Sequence, residues 1–211
     1  MPGSVPPEPA AGPPPRPRSV EEFDAPYVGT PPWDIGRPQP AFVRLAEAGR
    51  LHGRVLDVAC GTGEHALLAA RLGLGATGID AAPTAIGLAA RKAEDRSLPA
   101  RFLVWDALDL AALGEGFDTV LDCGLFHLFA DDERSRFVDS LGAVLSAGGV
   151  YHMLCFSDRQ PGDWGPRRVS QDEIRASFAS GWRVESIEAT TLDITISPSG
   201  ALAWQATIAR G

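Results

Sequence analysis

Residues 54–66 read Arg54-Val55-Leu56-Asp57-Val58-Ala59-Cys60-Gly61-Thr62-Gly63-Glu64-His65-Ala66. The apolar run at residues 55–58 predicts a buried strand, and small and apolar residues at helical spacing follow over residues 66–72. The turn between the two elements contains Gly61 and Gly63. A strand, a glycine turn and a helix in this order place backbone N–H groups at one edge of a sheet, where a polar ligand group can approach the main chain.

Two cofactor patterns fit this stretch. The first is the dinucleotide pattern G-x-G-x-x-G/A, which residues 61–66 match and which Asp80 follows at the distance expected for a ribose-binding acid. The second is the S-adenosylmethionine pattern, an acid followed by small residues at alternate positions: Asp57, Ala59, Gly61 and Gly63. A carboxylate at Asp57 would repel a pyrophosphate but attract an ammonium or sulfonium group. We therefore favour S-adenosylmethionine, with a turn-capping role for Asp57 as the alternative.

The composition limits the class of protein. A chain of 211 residues suffices for one α/β domain with a buried core, and a net charge of −8 argues against a nucleic acid as the main partner. Residues 1–22 are mostly prolines and small residues, which predicts a disordered tail before one domain over residues 23–211. The tail has no signal-peptide core, and no later run is long and apolar enough to cross a membrane.

The cysteines Cys60, Cys123 and Cys155 are far apart and form no C-x-x-C pair. Each lies in or beside an apolar strand, so we expect buried free thiols rather than metal ligands or disulfides. Together these features predict a cytoplasmic protein that binds a small molecule and no metal, membrane or nucleic acid. The oligomeric state is left open.

The first part of the domain, residues 23–50, combines a stiff loop with a short helix. Residues 31–40 contain four prolines and a glycine, so they form neither a regular helix nor a central strand. Residues 41–48 have the apolar spacing of an amphipathic helix, which Gly49 ends. Trp33 in the loop either packs this helix onto the domain or acts as a lid that closes over the cofactor and excludes water.

Strand and helix patterns alternate through the middle of the chain. The predicted strands are residues 55–58, 76–80, 101–106, 117–123 and 150–156, and the later helices are residues 83–93 and 131–145, with Gly148 and Gly149 as a stop signal. This alternation predicts right-handed crossovers and a parallel sheet that binds ligands beyond the carboxyl ends of its strands.

The alternation ends after residue 156. Three elements follow: a polar, Gly/Pro-rich loop at residues 157–169, a helix from the capping box Ser170–Glu173 to about residue 179, and an antiparallel hairpin of strands 182–187 and 201–209 with its turn at residues 197–200. A dinucleotide dehydrogenase more often continues with another crossover or a catalytic domain, so this ending favours the S-adenosylmethionine interpretation.

Acids fall at the carboxyl ends of successive predicted strands: Asp57, Asp80, Asp106 and Asp122. With S-adenosylmethionine as the ligand, Asp80 would accept the ribose hydroxyls and Asp106 the adenine amino group. Asp57 would face the methionine end, and Asp122 would lie where the acceptor enters. The predicted cofactor contacts are Trp33, Asp57, Ala59, Gly61, Gly63, Asp80, Ala81, Asp106, Ala107 and Asp122.

The glycine stretch, Asp80, Asp106 and the strand that ends at Asp122 resemble the class I S-adenosylmethionine-dependent methyltransferases. Residues 32–40, Pro32-Trp33-Asp34-Ile35-Gly36-Arg37-Pro38-Gln39-Pro40, are similar to the PWD-x-G-x-P-x-P segment of thiopurine and thiol/halide methyltransferases. Two further segments are similar to actinobacterial relatives that methylate small heterocyclic or quinone-like aromatics: Asp122-Cys123-Gly124-Leu125-Phe126-His127 with Arg134, and Gly165-Pro166 followed by Ser170-x-x-Glu173-Ile174-Arg175.

This resemblance implies a single-domain, Rossmann-like, doubly wound α/β fold whose seven strands follow the order 3-2-1-4-5-7-6, with the last strand antiparallel. The chain departs from the family at Ala59, where a third glycine is common, and at Cys123 and His127, where relatives vary. Alanine is small, so we expect the first departure to be harmless. The fourth strand also lacks the Asn/Asp-Pro-Pro signature of nucleic-acid amino-methylases.

The acceptor side of the site is predicted beside the fourth strand. A thiol acceptor can arrive ionised, whereas a phenol or heterocyclic N–H gains from a general base, for which His127 next to Asp122 is the candidate. Phe126 and Trp164 are candidate walls for a flat acceptor, and ordinary packing is the alternative for all three side chains. We predict methyl transfer from S-adenosylmethionine to a small, aromatic thiol, phenol or heterocycle. The alternatives are a nicotinamide-dinucleotide-dependent oxidoreductase and a cofactor-binding protein without turnover.

Overall fold

The strand predicted before the glycine turn lies at the centre of the sheet. In the computed structural model, which describes residues 19–211, the strands are β1 Arg54–Val58, β2 Gly75–Asp80, β3 Ala100–Val104, β4 Phe117–Cys123, β5 Leu145–Phe156, β6 Trp182–Ile194 and β7 Ser197–Arg210. The α-helices are α1 Val20–Asp24, α2 Pro40–Glu47, α3 Glu64–Arg71, α4 Pro83–Asp95, α5 Asp131–Val144 and α6 Gln171–Ser177. Short 3-10 helices span Ala25–Val28, Ala107–Leu113 and Phe126–Leu128.

The seven strands form one sheet in the order β3-β2-β1-β4-β5-β7-β6. The neighbours from β3 to β5 are parallel, and β7 runs antiparallel to both β5 and β6. Strand order, parallel core and antiparallel end are therefore as predicted, and the doubly wound α/β fold is confirmed. The order reverses between β1 and β4, and in open α/β sheets a ligand crevice is expected at the carboxyl ends of the strands at such a point.

The sheet has a hydrophobic core on each face. On β5, alternation sends Tyr151 and Met153 into one cluster and Leu154 and Phe156 into the other. The first cluster includes the apolar side of α5, and the second includes α2 and α3. Both faces of the central strands are buried, which explains their nearly continuous apolar sequences.

The predicted tail differs from the structure at its end. The disorder prediction for residues 1–18 lies outside the described residues. Residues 19–22, however, belong to an ordered helix start: Ser19 is the N-cap of α1. The main-chain N–H of Ser19 donates to the Glu22 carboxylate, and the N–H of Glu22 donates to the Ser19 hydroxyl. Ser19 and Glu22 have the sequence pattern of a capping box, which marks a helix start, but the prediction relied on the proline-rich composition instead.

The turn of the C-terminal hairpin also differs from the prediction. β6 and β7 are joined by a two-residue turn at Thr195 and Ile196, and residues 197–200 already belong to β7. Leu192 pairs with Ala201 and Ile194 pairs with Ser197, so β7 has extra residues in this part of the ladder. The Pro/Ser/Gly sequence at residues 197–200 therefore marks a β-bulge, where Gly200 has φ +69°.

Three smaller boundaries need correction. α5 ends at Val144, and Gly148 and Gly149 lie in the irregular start of β5 instead of stopping the helix. β3 ends at Val104, before Asp106, and α6 ends at Ser177. Over residues 19–211, no helix has both the length and the apolarity that a membrane span requires.

Candidate active site

The two glycines of the turn are required by different neighbours. Gly63 has φ +86°, and a Cβ there would lie 2.7 Å from Phe102 Cε1 and 2.8 Å from Ala89 Cβ. Gly61 has φ +54°, and a Cβ there would lie 3.0 Å from the hydroxyl oxygen of Tyr27. Gly63 thus permits close packing against β3 and α4, whereas Gly61 permits the approach of an N-terminal side chain to the turn.

Ala59, at the start of the turn, has a strained backbone conformation although its side chain is small. Ala59 has φ +50°, in the left-handed region. A Cβ in this region costs about 1 kcal/mol of conformational strain. We expected Ala59 to be harmless because of its small volume, but its backbone conformation adds strain. The same conformation explains why glycine is common at this position.

Asp57 lies under the turn with its carboxylate fully buried. Its Oδ2 accepts a hydrogen bond from the N–H of Ala66 (3.0 Å), while its Oδ1 is buried without a hydrogen-bond partner. The ring Nδ1 of His65 lies 4.0 Å from this Oδ1. Burial, and then the nearby carboxylates, raise the pKa of Asp57 well above its usual range. The predicted turn-capping role is present, and the unpartnered oxygen adds an uncompensated acceptor behind the turn.

Asp80 connects the glycine turn to the end of β2. Its Oδ2 accepts from the N–H of Gly61 (2.8 Å), and its Oδ1 accepts from the N–H of Ala82 (2.9 Å). Burial raises the pKa of this carboxyl, and the two N–H donors oppose that shift. Each carboxylate oxygen retains a second acceptor direction, so Asp80 can accept further hydrogen bonds from a ligand hydroxyl. Ala81, beside it, is half-buried.

Residues 27–40, which we call the strap, cross the glycine turn. The indole N–H of Trp33 donates to the Tyr27 hydroxyl (3.1 Å), and Trp33 is 50% exposed. The Thr62 hydroxyl donates to Asp34 Oδ2 (3.0 Å). The main-chain N–H of Gln39 donates to His65 Nε2 (3.1 Å). The strap therefore contacts both the turn and the first residues of α3.

The C-terminal hairpin holds the strap from the other side. The side-chain amide of Gln39 makes two hydrogen bonds to the main chain of Asp193, each 2.9 Å long. The N–H of Thr195 donates to the carbonyl of Pro32 (2.9 Å), and Arg37 forms an ion pair with Asp193 (2.7 Å). The strap is therefore held by the glycine turn and α3 on one side and by the C-terminal hairpin on the other.

An ionic network lies beside the turn and contacts the strap. Lys92 on α4 donates to the Thr62 hydroxyl (2.7 Å) and to Glu64 Oε1 (2.9 Å). Arg96 donates to both carboxylate oxygens of Glu64, at 2.8 and 2.9 Å. Glu64 is buried, and its cationic neighbours lower its pKa against the opposing effect of burial. The network fixes Thr62 between α4 and Asp34 of the strap.

Asp106 is exposed and follows β3. Its Oδ1 accepts from the N–H of Leu108 (2.9 Å), so it caps the 3-10 helix that starts at Ala107. Ala107 is half-buried. The side chain lies at the predicted edge of the sheet, with one oxygen used by the cap.

Asp122 and Phe126 lie inside the core, which corrects their predicted roles. Asp122 is fully buried and accepts from the N–H of Leu125 (2.7 Å), the N–H of Phe126 (3.1 Å) and the Tyr151 hydroxyl (2.6 Å). Burial raises its pKa to about 6. The Phe126 ring is fully buried beneath the Arg134 guanidinium, which lies 4.7 Å from the ring centre. Neither side chain reaches a surface at which an acceptor or a cofactor could lie.

His127 is placed near the predicted acceptor side but with a different hydrogen-bond role. Its Nδ1 accepts from the main-chain N–H of Phe156 (3.0 Å), so in the neutral ring Nε2 carries the proton. Asp122, beside which His127 was predicted, accepts hydrogen bonds from Leu125, Phe126 and Tyr151. The neutral ring thus holds the main chain at the end of β5, and the general-base role stays a prediction.

An aromatic wall of three residues stands at the ends of β4 and β5. The His127 ring lies 5.2 Å from that of Phe156, and Phe156 lies 5.7 Å from Trp164, both in edge-to-face geometry. Trp164 is 40% exposed. Sequence reasoning named Trp164 but overlooked Phe156 and Tyr27. Phe156 could have been predicted from its position at a strand end, which it shares with the acids. No sequence pattern indicates that Tyr27 contacts the turn.

None of the predicted site residues lines the groove of about 580 Å³ at Ser135, Trp182 and Arg210. This groove lies between α5, α6 and the start of β6. Within residues 19–211 no group of three or more His, Cys, Asp or Glu side chains is arranged to hold a metal ion.

The chain is similar to known proteins in both sequence and structure. A family profile described as a methyltransferase domain matches residues 55–149. The 2-heptyl-1-hydroxyquinolin-4(1H)-one methyltransferase of Mycobacteroides abscessus is 38% identical over 165 residues, which cover 77% of this chain and 73% of that protein.

Two solved structures are also similar. One, reported for the conversion of a disulfide bond into a thioacetal group during echinomycin biosynthesis, has a TM-score of 0.82 and 40% identity, and covers 91% of this chain and 93% of that chain. Magnesium protoporphyrin IX methyltransferase from Synechocystis PCC 6803 with bound S-adenosylmethionine has a TM-score of 0.64 at 20% identity, covering 81% and 76%, which shows a shared fold. The strand order, the glycine turn and these relatives show that the chain belongs to the class I S-adenosylmethionine-dependent methyltransferases, and that it transfers a methyl group to a small-molecule acceptor.

Proposed function

We propose that S-adenosylmethionine binds at the carboxyl ends of β1, β2 and β3 beneath the strap, and that a small aromatic acceptor binds beside the aromatic wall. The observation that supports this most strongly is the strap itself. Trp33 and Tyr27 are hydrogen-bonded to each other directly over Gly61, whose N–H is held by Asp80. A glycine turn, a ribose-type acid and a half-exposed indole thus meet at one edge of the sheet.

The residues present fit this cofactor. The buried Oδ1 of Asp57 has no hydrogen-bond partner and lies beneath the turn as an acceptor oxygen, which suits a cationic ligand group better than a pyrophosphate. Asp80 has acceptor capacity for the two ribose hydroxyls, and Asp106 has one oxygen beyond its cap for the adenine amino group. When bound, S-adenosylmethionine supplies an electrophilic methyl group on a sulfonium.

The remaining proposed contacts come from the turn and its neighbours. They are Trp33, Ala59, Gly61, Gly63, Ala81 and Ala107. Trp33 covers the site and excludes water, and the Thr62–Lys92 contact keeps the turn in place while the acceptor approaches. Asp57 acts through its hydrogen bond to Ala66 and as a buried acceptor oxygen, because its carboxyl group is sealed from the surface.

For the acceptor, we propose an aromatic thiol, phenol or nitrogen heterocycle. The M. abscessus relative is named for a hydroxyquinolone, and the echinomycin structure for a reaction at sulfur, so acceptors of both kinds occur among similar proteins. Trp164 offers an exposed indole to a flat molecule, and the buried rings of Phe156 and His127 pack behind it. Since His127 Nδ1 already accepts an N–H, an acceptor that arrives ionised suits the site better than one that needs a base.

The experiment is an acceptor panel. Purified protein is incubated with S-adenosylmethionine and, separately, with aromatic thiols, phenols and nitrogen heterocycles, and adenosylhomocysteine release is measured. We expect release with at least one aromatic class, and much less with Asp80→Ala. Binding of adenosylhomocysteine without release in any class would support the alternative of a cofactor-binding protein. Binding of a nicotinamide cofactor instead would contradict the proposal.

The setting of this reaction is also a proposal. A cytoplasmic location is supported by the three cysteines, which are all free thiols, and a non-nucleic-acid acceptor is supported by the net charge of −8.

A further inference from the structure

The loop after β5, residues 157–169, is closed at its neck. The N–H of Val169 donates to the carbonyl of Phe156 (3.1 Å), and the N–H of Asp158 donates to the carbonyl of Val169 (3.0 Å). Leu202 of β7 donates its N–H to the side-chain oxygen of Gln160 (2.6 Å), which ties the loop to the hairpin. We call these residues the acceptor loop, because the exposed member of the aromatic wall, Trp164, belongs to it.

Arg168 organises the interior of the acceptor loop. Its guanidinium donates to four main-chain carbonyls, those of Gln160 (3.2 Å), Gly162 (3.1 Å), Trp164 (2.8 Å) and Pro166 (2.6 Å). The loop has no strand or helix of its own between its neck residues, so these bonds replace the ladder that regular structure would provide. A planar guanidinium with five N–H donors can serve carbonyls in several directions at once, which an ammonium group on a flexible stem cannot do in the same geometry.

The same guanidinium packs on the rings of the wall. It lies 5.4 Å from the centre of Phe156 and 5.9 Å from that of Trp164. Trp164 in turn stands at 84° to Phe156. One side chain thus fixes both the main chain that carries Trp164 and the angle of its indole.

We propose that Arg168 is a positioning residue that holds Trp164 as one wall of the acceptor subsite, and that this wall selects flat aromatic acceptors over aliphatic ones. This inference rests on the proposed function, since it concerns the acceptor side of the same site. Arg168 itself does not contact the reacting atoms. It acts by keeping the indole at the distance and angle that a stacked acceptor needs.

The chain offers a matched control in the same loop. Arg159 lies 5.7 Å from the ring of Trp204, another tryptophan, and its guanidinium makes none of these carbonyl bonds. Arg168→Lys and Arg159→Lys therefore make the same chemical change beside an indole, but only the first removes the four-carbonyl arrangement. Trp164→Leu removes the wall and leaves Arg168 in place.

The experiment compares wild type and the three variants with an aromatic thiol (thiophenol) and an aliphatic thiol (2-mercaptoethanol), and measures amide hydrogen exchange in the acceptor loop without substrate. We expect Arg168→Lys to lower kcat/KM for thiophenol by about tenfold, mainly through KM, while the value for 2-mercaptoethanol changes less than about twofold. Loop exchange should accelerate by about tenfold in Arg168→Lys. Arg159→Lys should change none of these values. Trp164→Leu should lose the same preference for thiophenol over 2-mercaptoethanol, while the amide exchange rate of the acceptor loop stays unchanged.

Equal effects of Arg168→Lys on both thiols, or equal loop exchange in Arg168→Lys and Arg159→Lys, would overturn the positioning role while leaving the methyltransferase function intact. Wild-type protein that binds adenosylhomocysteine but methylates neither thiol would overturn the proposed thiol acceptor and the selectivity with it. The two failures are therefore distinguishable in one set of measurements.

Discussion

The indole N–H of Trp33 donates to the hydroxyl of Tyr27 at 3.1 Å, and this pair lies over the glycine turn at Gly61. Trp33 is nevertheless half exposed. A residue that only packed the N-terminal helix onto the domain would be buried against it. The indole is held by one hydrogen bond and keeps an exposed face, as expected for a lid residue that packs against a bound ligand.

We predict that Trp33→Phe weakens adenosylhomocysteine binding by about 1 kcal/mol, because the indole area and the hydrogen bond to Tyr27 are both lost. The melting temperature of the ligand-free protein should hardly change, since the side chain is half exposed. Calorimetric titration and thermal unfolding measure the two quantities. A strongly destabilised variant with unchanged affinity would make Trp33 a packing residue.

A second prediction concerns His65 and acid stability. Burial lowers its pKa to about 4, whereas an unfolded histidine titrates near 6.5. Between these values the unfolded state binds more protons, so the unfolding free energy falls as the pH falls, by up to about 1.4 kcal/mol per pH unit. His65→Gln removes this titration and retains an oxygen to accept the N–H of Gln39.

Denaturant unfolding of both proteins at several pH values between about 4 and 7 tests this prediction. We expect the stability advantage of wild type over His65→Gln to shrink as the pH falls through this window. Other groups that titrate there, including Asp122 and His152, are present in both proteins and cancel in the difference. Parallel curves would show that His65 does not carry this pH dependence.

Gly63 and Gly73 provide a matched pair for the glycine turn. Both have a positive φ, but a Cβ at Gly73 meets nothing within 4 Å, whereas a Cβ at Gly63 meets Phe102 at 2.7 Å. Gly73→Ala should cost about 1 kcal/mol of unfolding free energy, from backbone strain alone. Gly63→Ala should cost roughly 1–3 kcal/mol more, because β3 and α4 must shift. Equal losses would mean that the packing under the turn is loose.

For His127 we predict that Asn replaces the histidine with little loss. The Asn oxygen can accept the N–H of Phe156 in place of Nδ1. If His127 only positions, kcat/KM for an ionised thiol should stay within about tenfold and the pH profile should keep its shape. A loss of about 10²–10⁴-fold, with one limb of the pH profile removed, would restore the general-base role.

The sequence predicted the strands and helices well because their patterns are local, whereas the strand order came from the family resemblance. The apolar runs, the glycine turn and the capping box at Ser170 each act over a few residues, and the structure contains all of them. The turn at residues 197–200 failed because the same Pro/Gly residues also form a bulge, and the distinction depends on the pairing with Leu192.

The site was harder to predict because strand-end residues point in different directions. Asp80 and Asp122 both stand at strand ends in the sequence, but Asp80 binds the turn, whereas Asp122 is held by Tyr151 from β5. No local sequence pattern indicates which of two buried carboxylates will accept a hydrogen bond from a neighbouring strand. The contact of Tyr27 with the turn depends on the strap crossing the sheet edge, which is also a tertiary event.

The most direct test of the account is the affinity of adenosylhomocysteine for Asp80→Ala, measured by calorimetric titration. Asp109→Ala, which removes the same charge at an exposed position near the sheet edge, is the control. We predict that Asp80→Ala loses on the order of 2 kcal/mol of binding free energy, about 30-fold in Kd, because charge-assisted hydrogen bonds are lost. Asp109→Ala should bind as wild type does. A folded Asp80→Ala protein with the wild-type Kd would contradict the placement of the cofactor at this edge of the sheet.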